Sequence, residues 1–141
     1  MGLEPRIVAF TCNWCAYAAA DLAGIVRMQY PPNIRIIRVM CTGMVHPNLV
    51  MEAFQLGADG VMVMGCQPGE CHYVDGNVKA EARLAVVTEM MDAMGVEEER
   101  FRLVWCSAAE AERFVAAVTD MTEFLRILGP SPLGPAGSAA V

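Results

Sequence analysis

Cys12 and Cys15 in F-T-C-N-W-C, and Cys66 and Cys71 in G-C-Q-P-G-E-C, form two cysteine pairs. Each pair directly follows a short apolar run that reads as a strand. Thiolates at the ends of two neighbouring strands can converge on one point, and four converged thiolates suit an iron–sulfur cluster or a zinc ion. The C-x2-C and C-x4-C intervals are not those of a zinc ribbon. They occur in plant-type 2Fe–2S sites, in a different order. A C-x-x-C at the start of a helix also gains from the orphan N–H groups and the dipole there, which favour the thiolate. In the second loop, Gly65 and Gly69 remove side chains and Pro68 stiffens the turn, which predicts a close approach of backbone N–H groups to a bound anionic group.

The residues alone leave three readings open. The first is an iron–sulfur cluster on Cys12, Cys15, Cys66 and Cys71. The second is structural zinc on the same four, although a domain with a good core has little need of it. The third is a thioredoxin-like dithiol oxidoreductase using Cys12 and Cys15. That reading leaves Cys66 and Cys71 without a task.

Other residues compete for roles. Cys41 is the main rival ligand, its plainer role being a buried thiol beside the site. Cys106 reads as a small core residue. A Rieske-type arrangement needs two histidines, and the chain has only His46 and His72; His72 reads as a hydrogen-bonding or capping residue. Trp14 either shields the site, meets a partner or packs. Glu70, Asp75 and Asp59 read as loop or turn carboxylates. No Ser–His–Asp set, phosphate-binding glycine loop or H-E-x-x-H is present, so bond-making catalysis by this chain alone is not expected.

The elements that must position these cysteines alternate between strand and helix. Strands are predicted over Ile7–Thr11, Ile34–Met40, Val61–Met64 and Phe101–Trp105. Helices are predicted over Ala16–Met28, Asn48–Leu56, Val78–Met94 and Glu110–Leu128. Pro47 would start the second helix, and Gly57 and Gly95 would end the second and third. Leu84, Val87, Met91 and Met94 mark the apolar face of the third, and Phe114, Val118, Met121, Leu125 and Leu128 that of the fourth. Alternation of this kind implies an α/β fold with a parallel sheet covered on both faces. Short, mostly apolar strands agree with that. A cysteine follows every predicted strand, at Cys12, Cys41, Cys66 and Cys106, so all four lie at the carboxyl edge of such a sheet. With a strand order of 2-1-3-4, strands one and three are neighbours at the point where the order reverses, and the two pairs flank one crevice.

The chain has 141 residues, 55% of them apolar and 18% charged, with a net charge of −6. That length suits a single domain with its own core. The absence of any basic block argues against a nucleic-acid partner, and no run is long enough to span a bilayer. The N-terminus carries neither a signal-peptide nor a myristoylation pattern, so a cytoplasmic location is expected. There, six cysteines point to metal or redox chemistry rather than to disulfides. Eleven methionines read mainly as core filler, with a Met-rich docking face as the other use. The tail from Gly129 is rich in Pro, Gly and Ser and is expected to be disordered or extended, leaving residues 1–128 as the domain.

F-T-C-N-W-C-A-Y-A-A-A-D-L-A-G, R-V-M-C-T-G, G-A-D-G-V and G-C-Q-P-G-E-C-H-Y-V-D-G-N together resemble the delta subunit of methyl-viologen-reducing hydrogenase, from about Val8 to Pro130. G-C-x-P-G-[DE]-C-H-Y-x-x-G-N is a long and specific pattern. The alternation reads as a flavodoxin-like, four-stranded doubly wound domain, and the resemblance implies that it carries a 2Fe–2S cluster with Cys12, Cys15, Cys66 and Cys71 as ligands. The resemblance also implies a relay role between a hydrogenase, formate dehydrogenase or other oxidoreductase and the flavin (FAD) subunit of a heterodisulfide reductase-like, electron-bifurcating complex. The chain departs from the pattern at Met44, where members often carry Arg, and at His46, where they often carry Asp. Gln67 stands where His is frequent, and Cys106 where an aliphatic residue is expected.

Overall fold

The four apolar runs form parallel strands, β1 (Ile7–Cys12), β2 (Ile34–Val39), β3 (Gly60–Gly65) and β4 (Phe101–Trp105). They stand in the order β2-β1-β3-β4, so the first and third strands are neighbours as expected. The structure is a computed structural model and describes residues 5–12, 16–25, 33–65 and 76–132. Helices α1 (Ala16–Ile25) and α4 (Ala111–Leu128) cover one face of the sheet, and α2 (Pro47–Gln55) and α3 (Gly76–Ala93) the other. This is the single-domain, flavodoxin-like α/β architecture anticipated from the alternation.

Each face buries its own core. Ile7, Ala9, Met62 and Met64 pack with Ala16, Ala19, Ala20 and Ala23 of α1 and with Phe114, Val118, Met121 and Leu125 of α4. Small residues on α1 let that helix sit close to the sheet. Phe10, Val61 and Val63 pack with Val50, Met51 and Phe54 of α2 and with Leu84, Val87 and Met91 of α3. β1 and β3 are the inner strands and are buried nearly throughout. β2 is an outer strand and shows solvent at Arg35, Ile37 and Arg38. Among the described residues, five methionines (51, 62, 64, 91 and 121) are buried, which is the core-filling use.

The boundaries move by one or two residues, for local reasons. β1 takes in Cys12 because that residue still pairs with Val39 of β2. β3 takes in both flanking glycines. A Cβ on Gly60 would lie 2.6 Å from Leu125 Cδ1 and Met121 Cε of α4, so a larger residue there would make those two core side chains shift. α2 starts at Pro47, as expected, whose missing N–H costs nothing at a helix start. Gly57 and Gly95 follow α2 and α3 with φ of 114° and 77°, the left-handed backbone expected after a helix end. Met94 lies beyond α3 and is exposed, unlike the rest of its predicted stripe. Two short 3-10 helices, Thr42–Met44 and Glu98–Arg100, were not expected from the sequence. The last residues of the predicted first helix, 26–28, lie outside the described residues.

The amino edge of the sheet is closed by polar contacts. Arg100 is buried and donates to Glu97 Oε1 at 2.8 Å, to the Asp59 carbonyl at 3.1 Å and to the Pro130 carbonyl at 3.2 Å. The Asp59 carboxylate accepts from the backbone N–H groups of Arg6 and Ser131, each at 3.0 Å. The residues directly after α4 are thereby held against the end of the sheet opposite the cysteines. Residues 133–141 lie outside the described residues.

Candidate metal centre

Parallel pairing brings the strand ends to one edge, and three of the six cysteines are described there. Cys12 is the last residue of β1 and is 2% exposed. Its Sγ lies 3.9 Å from the Met40 carbonyl oxygen, just past the end of β2. Cys41 is the next residue in the chain and is also buried. The start of the following 3-10 turn ties it down, the Met44 N–H donating to its carbonyl at 3.0 Å. Cys12 and Cys41 therefore belong to neighbouring stretches of backbone at the same end of the sheet. Of the predicted ligands, Cys15, Cys66 and Cys71 lie outside the described residues, as do Trp14, Glu70, His72 and Asp75. Their flanking positions are described. α1 begins at Ala16, directly after Cys15 in sequence, and β3 ends at Gly65, directly before Cys66. Thr11, next to Cys12, pairs with Met64, next to Gly65.

Cys106 is a different kind of cysteine. It is fully buried in the core between the sheet and α4. Its thiol donates to the Glu110 carbonyl at 3.4 Å and to the Ser107 carbonyl at 3.6 Å. Burial first, and the Glu110 carboxylate second, push the thiol up to about 11. Both causes disfavour the thiolate that a metal ligand must supply. Its backbone N–H donates to the Gly65 carbonyl at 2.8 Å, which continues the β3–β4 pairing one step past the strand. The reading of Cys106 as a core residue agrees with this packing.

Two residues have packing or capping tasks beyond the sequence reading. Gly65 is one. A Cβ there would lie 2.8 Å from Thr42 Cγ2 and 3.0 Å from the Trp105 ring, so the glycine makes room for the Thr42–Met44 turn and for Trp105. His46 has a structural task that the sequence reading did not give it. Its Nδ1 accepts the Asn48 N–H at 3.0 Å and caps α2. Aspartate, frequent at this position in the resembling family, can do the same. Asp59, expected to be a turn carboxylate, is one, at the opposite edge from the cysteines.

Sequence reasoning missed Thr11. The residue is fully buried, and its Oγ1 has no hydrogen-bond partner among the described residues. The only available signal was its place directly before Cys12 in an otherwise apolar run. A buried thiol at the strand end, beside a buried hydroxyl with a proton to give, fits an anionic sulfur-containing group at this edge. Among the described residues, no three His, Cys, Asp or Glu side chains gather as a metal site, and no helix is long and apolar enough to cross a membrane.

Comparison with known proteins bears on the same region. The family model described as methyl-viologen-reducing hydrogenase, delta subunit, matches residues 7–129. The chain is 50% identical over 130 residues to the vhc iron-sulfur subunit of the F420-non-reducing hydrogenase of Methanococcus voltae, covering 92% of this chain and 90% of that one. It is 46% identical over 127 residues to the iron-sulfur subunit of the F420-non-reducing hydrogenase of Archaeoglobus profundus, covering 90% of this chain and 93% of that one. It is also 48% identical over 126 residues to one subunit of the ferredoxin:CoB-CoM heterodisulfide reductase of Methanosarcina mazei. There the match takes in 89% of this chain but 16% of the relative, a much longer polypeptide. With the family model spanning β1 through α4, this chain belongs to the methyl-viologen-reducing hydrogenase delta-subunit family.

Proposed function

We propose that this chain is an electron-transfer subunit that holds one 2Fe–2S cluster on Cys12, Cys15, Cys66 and Cys71. It would relay electrons between an oxidoreductase partner, of the hydrogenase or formate dehydrogenase type, and the flavin (FAD) subunit of a heterodisulfide reductase-like complex in the cytoplasm. The observation that carries this reading is the adjacency of β1 and β3. Cys12 ends one of these strands, and the other leads in sequence straight into Cys66 and Cys71. The names of the relatives support it: iron–sulfur subunits of hydrogenases, and a heterodisulfide reductase polypeptide that contains a counterpart of this chain within a longer one. In the proposal, residues 1–128 are the cluster-holding domain and 129–141 an appended tail.

When bound, such a cluster supplies one-electron transfer without making or breaking a substrate bond. The chain's own part is then limited. Thiolates hold the group, the buried end of β1 keeps water from it on one side, and hydrogen-bond donors set its potential. A relay needs no substrate pocket, and no acid/base or nucleophilic set is required of the chain.

The test is the iron, acid-labile sulfide and zinc content per chain after anaerobic purification, repeated on cysteine variants. Two irons with two sulfides are expected. Cys12→Ser or Cys66→Ser should abolish the visible absorption of the cluster, whereas Cys106→Ser should keep it. An intact spectrum in the Cys66 variant would refute the ligand set. Zinc without sulfide would refute the relay itself.

A further inference from the structure

Thr11 is a buried hydroxyl with no partner among the described residues. It is 0% exposed, and its Oγ1 makes no hydrogen bond there. Thr122, equally buried, instead donates to the Val118 carbonyl at 2.8 Å. Valine has nearly the same shape as threonine and would fill the place of Thr11 without burying a polar atom, so an unsatisfied hydroxyl there needs an explanation.

Its position supplies one. Side chains alternate along a strand, so Thr11 shares the face of Ile7 and Ala9, which pack towards α1 and α4. Its register partners are Arg38 on β2 and Met64 on β3. Met64 belongs to the α1/α4 core, and the Arg38 guanidinium lies 4.9 Å from the ring centroid of Tyr17, the second residue of α1. The hydroxyl therefore lies under the start of α1, at the carboxyl end of β1, with Cys12 as the next residue.

We propose that Thr11 is a positioning residue for the cluster, its Oγ–H donating to a sulfur of the group held at Cys12. This rests on the cluster reading above. Sulfur carries more negative charge in the reduced state, so the bond is stronger there than in the oxidised state. Thr11 thus stabilises the reduced form and raises the reduction potential.

The experiment compares wild type, Thr11→Val and Thr11→Ser as full chains purified anaerobically. Iron and sulfide content are measured first, and the midpoint potential by redox titration followed by electron paramagnetic resonance second. A wild type without iron and sulfide would overturn the functional reading, and this inference with it. With a loaded wild type, the Val variant should hold the same iron and sulfide but reduce less readily. A roughly tenfold change in the oxidised-to-reduced ratio is 59 mV for a one-electron couple. The Ser variant should return to the wild-type potential. The coupling of an exchangeable proton to the cluster should disappear in Val alone. A Val variant with wild-type loading, potential and proton coupling would overturn the Thr11 assignment and leave the relay intact. If Val fails to load, loading and wild-type potential in Ser support the hydroxyl, and failure in Ser as well overturns it.

Discussion

Burial, with the Glu110 carboxylate adding to it, pushes the Cys106 thiol up to about 11. Stability must then depend on pH. Between the ordinary thiol range near 9 and the folded value, the native state holds a proton that the unfolded chain has lost. The unfolded state then binds fewer protons, so stability falls as pH rises. Below the ordinary range the contribution is complete, and two units correspond to about 3 kcal/mol at most. Urea unfolding between pH 8 and 11 should show this extra alkaline loss in the wild type and not in Cys106→Ala. The variant will start lower at pH 8, because the core loses the sulfur, but its pH slope should be shallower. Equal slopes would mean that Cys106 does not titrate with the fold. The Cys106 thiol donates to two carbonyls of its own loop and the start of α4, whereas the Cys12 thiol faces the Met40 carbonyl, beyond the end of the neighbouring strand, at 3.9 Å.

At the scale of elements, α2 offers a clear test, because a single side chain closes its start. His46 Nδ1 satisfies the Asn48 N–H, and Pro47 has none to satisfy. His46→Ala should cost about 1 kcal/mol in chemical unfolding, and His46→Asp should restore it, as expected of an N-cap acceptor. Loss of stability in the Asp variant equal to that in Ala would assign His46 another task. The same helix shows which parts of the molecule can be read from sequence. Pro47 and Gly57 bracket it locally, as Gly95 closes α3, and the Phe114, Val118, Met121 and Leu125 stripe declares α4 by its spacing. Parallel strands were legible as well, since the strand–helix alternation puts the cysteine after every strand on one edge; the order 2-1-3-4 was a condition that makes the two cysteine pairs neighbours, and the sheet has it. What could not be read depends on partners remote in sequence. Gly65 is glycine because of Thr42 and Trp105. The cap at His46 exists only once the backbone turns there. The orphan hydroxyl of Thr11 follows from its register with Arg38 and Met64, which no local pattern reveals. For the candidate site, the spacing of the four cysteines was legible, while the polar group beside Cys12 was not.

Across the whole molecule the two edges of the sheet have opposite characters. The carboxyl edge carries the described cysteines, Cys12, Cys41 and Cys106, with Met40 and Met44 exposed on the same edge. The amino edge is knotted around Arg100, which joins the turn before β3, the turn before β4 and the segment after α4. That guanidinium divides its bonding evenly, two hydrogen bonds going to the Glu97 carboxylate and two to the Asp59 and Pro130 carbonyls. Glu97 is 40% exposed, so its ion pair with Arg100 is screened and contributes little. The pairing holds the Glu97 carboxyl below its ordinary range, chiefly through the hydrogen bond from Arg100. That small contribution is present at neutral pH and is lost as pH falls through the acidic range. Removing Arg100 is another matter, since it strands the Asp59 and Pro130 carbonyls and leaves a void. Arg100→Met should cost roughly 2–4 kcal/mol and increase hydrogen exchange at Ser131, while Glu97→Gln should cost under about 1 kcal/mol. A six-residue strand is about 20 Å long, so the cluster proposed for the far edge should keep its absorption and potential in the Arg100 variant wherever the protein is folded. Equal losses in the two variants would make the ion pair, not the carbonyl contacts, the source of stability. A shifted potential in folded Arg100→Met would mean that the two edges are coupled through the sheet.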